Sequence, residues 1–355
     1  MTQAMNEQSK NYLKAVLFEK PDYVPMTFHI NRSCWDAYPQ EALFDLMEAH
    51  PFLFPDFKRP EGVYRPEIAA VARKDQPFTD DFGCVWTTST DGITGTVTSH
   101  PLKDWACFSS YQAPDPSKCM GLGPVNWDET AEAFAQAKRN GDFIGGGLRH
   151  GHTFLQLCDI RGYENLMFDM VDEEPHLWEL IDMVEQFNAY IVKRYIELGA
   201  DQMSYAEDLG MQLGPMLSPH LFKKYIKPSY KRLMKPAVDK GLIVHMHSDG
   251  DIRDLADDLV DSGVQILNLQ DLVNGIDWIA SKYRSRLCID LDIDRQNITA
   301  YGTPEQIDAL ILEEVKKIAT PQGGLTMIYG LYPGVPLDNI RALMDAMEKY
   351  AFYYN

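Results

Sequence analysis

The chain has 355 residues, 45% of them hydrophobic, enough to bury one large core or two smaller ones. Its 33 basic and 52 acidic side chains leave a net charge of −19, which disfavours nucleic acid and anionic membrane as partners because nothing offsets phosphate repulsion. No run approaches the ~20 apolar residues that span a bilayer. The six cysteines are scattered without a CxxC pair, which suits a reducing compartment and offers no disulfide framework.

The first stretch, MTQAMNEQSKNYLKAV, lacks an apolar signal core and predicts the N-terminal helix of a cytoplasmic protein. PDYVPMTFHINRSCW predicts a strand over 24–30, with His29, Asn31, Arg32 and Trp35 crowding its exit as candidate substrate-binding residues. Ordinary loop chemistry accounts for such residues equally well. QEALFDLMEAHP predicts a short amphipathic helix. DFGCVWTTSTDGITGTVTSHPLKDW then breaks the pattern, with two β-rich runs about Asp91-Gly92, a strong hairpin signal. It predicts an inserted antiparallel ribbon.

A helix over 129–142 leads into FIGGGLRHGHTF, a strand that ends in Arg149, His150 and His152. Its three glycines lack the spacing of a phosphate loop. From Gly162 onward the alternation is regular. Helices over 163–171 and 175–198 precede the strand DQMSYAED, which holds Tyr205 and ends in Glu207 and Asp208. SPHLFKKYIKPSYKRLMKPAVDKG predicts a long helix with Ser218 at its N-cap. VQILNLQD, RLCIDLDID and LTMIYGLYPGV predict further strands, with helices starting near Ile276, after Thr303 and at PLDNIRALMDAMEKY. Strand-helix alternation over ~190 residues predicts a parallel sheet in one domain, residues 1–355, closed as a TIM-type (β/α)8 barrel.

The stretch GLIVHMHSDGDI carries the richest chemistry. Alternation along a strand places His245, His247 and Asp249 on one face, at a carboxyl end followed by a helix. A strand end whose histidines merely bond to backbone competes evenly with a metal-type cluster here.

Taken together, PDYVP, DFGCVW…PLKDW, RGYENLMFDM, LSPHLFKKYIKP, HSDGDI and GTPEQ…YPGVPLDNIRALMDAMEKY resemble the uroporphyrinogen decarboxylase superfamily over nearly the whole chain. The resemblance implies a distorted (β/α)8 barrel with its site in the mouth, often as a homodimer. The superfamily's decarboxylases grip tetrapyrrole carboxylates with an arginine-rich N-terminal segment, whereas VPMTFHINRSCWDAYP has Arg32 as its one Lys or Arg. The cobalamin-dependent methyltransferase branch binds zinc through His-x-Cys and a later Cys. Here His247 matches the histidine, Asp249 stands at the first cysteine, and Tyr329 lies near the second. The resemblance therefore leaves two arrangements. In one, a harder metal set of His247 and Asp249 is completed by Glu207 or His245. In the other, His247, His245 and Tyr329 act as acid-base groups without metal.

The expected activity is methyl transfer from a small methylated donor to a corrinoid, with anaerobic O-demethylation of an aryl ether as the leading case. Phe28, Trp35, Trp86 and Tyr205 are candidates to pack an aromatic ring, or else core. His29, Arg32, Trp35, His150, Tyr205 and Asp208 are the expected substrate-binding set. The chain has no D-x-H-x-x-G motif, so the corrinoid is expected on a separate partner protein. A decarboxylase of a small or tetrapyrrole acid, and a non-catalytic corrinoid-binding barrel, are the alternatives.

Overall fold

The computed structural model describes residues 5–354; the start of the predicted first helix, residues 1–4, lies outside them. Twelve strands follow in chain order: β1 Met26–Ile30, β2 Phe78–Thr79, β3 Val85–Thr87, β4 Thr96–Ser99, β5 Gly145–Gly147, β6 Gln202–Asp208, β7 Gly210–Met211, β8 Gly214–Pro215, β9 Ile243–Asp249, β10 Ile266–Gln270, β11 Cys288–Asp292 and β12 Leu325–Leu331. Seven form the main sheet, in the order β1-β12-β11-β10-β9-β6-β5. The chain is thus an α/β protein of TIM-barrel type, with seven sheet strands among the described residues where eight were expected. Contacts divide it into two compact units, one of Asp75–Thr87 and Gly95–Asn268 with the residues before Lys10, the other of Lys10–Lys74, Thr88–Thr94 and Leu269 onward.

In the first unit, β5, β6 and β9 pair in parallel. Helix Pro175–Leu198 buries Leu177, Leu180, Ile181, Val184, Phe187, Ile191 and Val192 along one stripe, the spacing of an amphipathic helix. Ser218 caps the next helix by accepting from Leu221 N at 3.3 Å, as its sequence predicts. A π turn at Phe222–Ile226 precedes Lys227–Asp239. Pro228 has no N–H to give the preceding turn, so the ladder widens there. Helix Phe154–Arg161 was not foreseen. Phe154, Gln156, Leu157, Cys158, Ile160 and Arg161 are all buried, so it shows no amphipathic period.

The ribbon is present as three strands, β2-β3-β4, instead of two. Its turn is not a tight hairpin, since Thr87 pairs with Thr96 across the segment 88–95. In the second unit that segment is drawn aside: Lys74 N donates to Asp91 Oδ1 at 2.7 Å, and Gly92 N to Ala72 O at 2.9 Å.

In the second unit β1, β12 and β11 run parallel, with Phe28 opposite Tyr329 and Asp292 opposite Ile328. Helix Pro304–Ile318 starts with the capping box of Thr303 and Gln306. It packs on helix Leu337–Ala351, which buries Ile340, Leu343, Met344 and Met347.

Candidate functional site

Strands β6 and β9 are in register over their whole length, with Ser204 opposite His245, Ala206 opposite His247 and Asp208 opposite Asp249. Side chains on paired parallel strands alternate together. His245, His247 and Asp249 therefore share one face, as the sequence predicts, and Asp208 joins them. Tyr205, Glu207, Met246 and Ser248 occupy the other face, fully buried.

On the first face, His150 follows β5 and brings its Nε2 to 3.3 Å from Asp208 Oδ1. His247 Nε2 lies 3.5 Å from the same oxygen and 3.8 Å from Asp249 Oδ1. The imidazole centres of His150 and His247 are 5.7 Å apart. His247 Nδ1 is hydrogen-bonded to Asn268 Oδ1. An amide oxygen only accepts, so Nδ1 carries the hydrogen and Nε2 is turned to the cluster. Asp208 Oδ1 also accepts from Asp249 N at 3.1 Å.

Burial works against a charged His247. The Asp208 hydrogen bond, the Asp249 charge and Asn268 outweigh it, raising the imidazole to about 9. For Asp208, burial favours the neutral acid, but hydrogen bonds from His150 and His247 hold the carboxyl well below its ordinary range. Both shifts favour the charged pair, imidazolium beside carboxylate.

Glu207 was expected as a metal ligand, and its geometry gives it different work. Its Oε1 accepts from Thr153 N at 3.1 Å and Leu155 N at 3.3 Å, and its Oε2 from Phe154 N at 2.7 Å and from the Tyr230 hydroxyl. The carboxylate is the anion at the start of helix Phe154–Arg161, where unpaired N–H groups gather. Asp208, one residue on and therefore on the other face, takes the cluster position. His152 likewise separates from His150. It is buried beside Tyr205 and Tyr230, and burial lowers its imidazole to about 3, keeping it neutral.

Tyr205, expected to bind substrate, is fully buried and donates its hydroxyl to Leu233 O at 2.9 Å on the helix side. Trp86 is buried too, its Nε1 donating to Asp80 Oδ2 at 2.8 Å. The remaining expected residues belong to the second unit. His29 and Arg32 are exposed. Trp35 is buried against Phe44 at 5.4 Å and Tyr64 at 4.6 Å. Phe28 and Tyr329 are buried with ring centres 5.2 Å apart. The Tyr329 hydroxyl is 3.3 Å from Thr299 Oγ1, and burial pushes it up to about 12. Phe28, Trp35, Trp86 and Tyr205 are thus packing residues in their own units.

Two features of the site escaped the sequence. Asn268 is a polar residue in the wholly buried strand ILNLQ, which is a legible signal in hindsight. The other is the contact of Gly210 with Gly250 that fixes the segments leaving β6 and β9. A Cβ on Gly250, whose φ is +80°, would fall 2.2 Å from the Gly210 carbonyl carbon.

Residues 143–350 match the family model described as "Uroporphyrinogen decarboxylase (URO-D)". No curated protein matches the chain. Among solved structures, a "methyltransferase from Methanosarcina mazei" is similar with a TM-score of 0.64 at 18% identity, covering 98% of this chain and 99% of that one. A B12-independent methionine synthase from Shewanella sp. W3-18-1 gives a TM-score of 0.42 at 12% identity, covering 65% of this chain and 68% of that one.

Proposed function

This chain belongs to the uroporphyrinogen decarboxylase family, and from that premise we propose that it is a methyltransferase that moves a methyl group from a small methylated donor to the cobalt of a corrinoid carried by a partner protein. The likeness to the Methanosarcina mazei methyltransferase supports the fold. The observation that carries the reaction is the cluster of His150, Asp208 and His247 at the carboxyl ends of β6 and β9, the end of a barrel where active sites gather.

A methyl ether is the donor class we favour, with an aryl methyl ether tested first. A reduced cobalt(I) centre attacks the methyl carbon, the carbon–oxygen bond breaks, and its electron pair stays on oxygen. An alkoxide or phenoxide leaves poorly unless its charge is neutralised as it forms. His247 could give a proton to that oxygen, and a cation, if His150, Asp208 and His247 held one, would supply Lewis-acid stabilisation of the same charge. Asn268 fixes the direction in which His247 Nε2 points, and the Asp249 amide, donating to Asp208 Oδ1, fixes the Asp208 carboxylate.

Tetrapyrrole decarboxylation is less well supported. Arg32 is the one Lys or Arg of the segment that would grip many carboxylates, and the net charge is −19.

The test is an anaerobic assay pairing methyl ethers and methylamines with a reduced corrinoid protein, read as spectral conversion of cob(I)alamin to methylcobalamin with the demethylated co-product. No conversion across a broad panel with a competent partner ends the methyl-transfer reading. Release of carbon dioxide without corrinoid supports decarboxylation.

A further inference from the structure

We propose that His150, Asp208 and His247 are the ligands of a divalent metal ion, in a site made wholly of nitrogen and oxygen donors with one tetrahedral position left for substrate. The ion would be the electrophile of the methyl transfer above; only its catalytic role rests on that reading, not its binding.

The distances carry the argument. Charge-assisted N–H···O bonds close to about 2.7–2.9 Å. Here one carboxylate oxygen faces two imidazole nitrogens at 3.3 and 3.5 Å, too far apart for strong hydrogen bonds. Zinc holds nitrogen and oxygen donors at about 2.0–2.1 Å, which sets the edges of its tetrahedron at roughly 3.3–3.4 Å. The donor atoms of all three residues lie within 4.8 Å of one another. The two imidazole-to-carboxylate edges, at 3.3 and 3.5 Å, match that tetrahedron.

The surroundings agree. A metal-bound imidazole usually gives its other N–H to a polar partner that fixes ring and tautomer, and Asn268 Oδ1 does this for His247 Nδ1. The Asp249 amide donates to the same oxygen, Asp208 Oδ1, at 3.1 Å. His247 and Asp208 stand on rigid, registered strands. Two imidazoles and one carboxylate with an open position suit zinc, cobalt(II) or iron(II) and give no preference for a soft thiolate centre. The competing arrangement is a protonated His247 paired with Asp208, which takes up no metal.

The experiment loads metal-stripped full-length protein with cobalt(II) and with zinc, without substrate or corrinoid. Expected are about one ion per chain by the three-ligand logic of such sites, visible cobalt bands, and no near-ultraviolet thiolate-to-cobalt band. His150→Ala, on a half-exposed side chain, and Asp208→Asn should each weaken cobalt binding on the order of a hundredfold or more, and Asn268→Ala roughly ten- to a hundredfold. Circular dichroism checks that each variant is folded. The proposal is overturned by a wild type that takes up neither ion, by a thiolate band, or by unchanged affinity in folded His150→Ala. A metal-loaded protein that transfers no methyl group sinks the methyl-transfer reading and leaves this site standing. An active protein that binds no metal does the reverse.

Discussion

Glu207 and Asp208 are adjacent carboxylates on β6, and the two faces of the strand treat them differently. On the helix-facing side Glu207 is completely buried and meets four donors, three backbone N–H groups and the Tyr230 hydroxyl. On the opposite face Asp208 is partly exposed, and its contacts, the Asp249 amide at 3.1 Å and two imidazoles at 3.3 and 3.5 Å, all fall on the one oxygen Oδ1. A saturated carboxylate stabilises an architecture, whereas an unsaturated one beside histidines is available for chemistry. The contrast locates the site better than the number of titratable residues does.

The largest effect should come from disturbing the saturated side. Glu207→Gln keeps the shape but turns one acceptor into a donor that confronts N–H or O–H groups. We expect a loss of about 2–4 kcal/mol, since several buried donors are left unsatisfied. Urea titration measures it, and metal uptake by the remaining folded protein should be unchanged. On the unsaturated side His247→Ala should do the opposite. Stability should fall by less than in Glu207→Gln, through the lost Asn268 contact and Asp208 pairing, while methyl transfer falls on the order of a hundred- to a thousandfold, the usual cost of one electrophilic group. If Glu207→Gln instead abolished metal binding without loss of stability, the assignment of the two faces would be reversed.

These two residues also show how far the sequence can be read. Period-two alternation placed His245, His247 and Asp249 on one face, and the strand-helix rhythm gave the fold class, because both depend on local geometry. The sequence reading gives Glu207 to the metal and Asp208 to the substrate, although both sit at the strand exit. What decides between them is helix Phe154–Arg161, remote in sequence, whose N-terminus needs an anion. That helix was invisible because six of its eight residues are buried, which leaves no clear amphipathic period. His150 could be named as a binding residue, but its approach to Asp208 depends on how β5 pairs with β6. Phe28, Trp35, Trp86 and Tyr205 were ambiguous for a simpler reason: an aromatic ring in a core and one in a binding wall have the same sequence neighbourhood.

The second unit holds a buried carboxyl without Glu207's donors. Glu314 is fully buried, its side chain meets the Asp271 carboxyl instead of N–H donors, and burial followed by the Asp271 charge raises its pKa well above the ordinary value. A carboxyl whose folded pKa is raised contributes stability in full below its unfolded pKa and loses it as pH climbs through the folded value. Wild-type stability should therefore decline from the ordinary carboxylate range upward, at a cost of about 1.4 kcal/mol for each unit of elevation that is traversed. Glu314→Gln removes this proton, so its urea midpoint should vary less between pH 5 and pH 8. Equal slopes in the two proteins would show that Glu314 is stably ionised in the fold.

The smallest expected effect is at Tyr329, whose hydroxyl is one candidate proton donor to the leaving oxygen. On β12 the ring lies on the same side as Phe28 of β1, and its hydroxyl meets Thr299 Oγ1 at 3.3 Å, deep among packed side chains. The Thr299 hydroxyl already donates to Asp294 O, so Tyr329 must be the donor in its own contact. Burial pushes the phenol up to about 12, which makes it a poor acid at neutral pH. Tyr329→Phe removes one long hydrogen bond and leaves Thr299 with a partner, so the loss should be about 0.5–1 kcal/mol. Methyl transfer should stay within about twofold of wild type, against the hundredfold or greater fall expected for His247→Ala. A comparable fall in Tyr329→Phe, with the folded protein still binding metal, would make this hydroxyl part of the chemistry and would break the rule that the saturated, helix-facing residues serve only the fold.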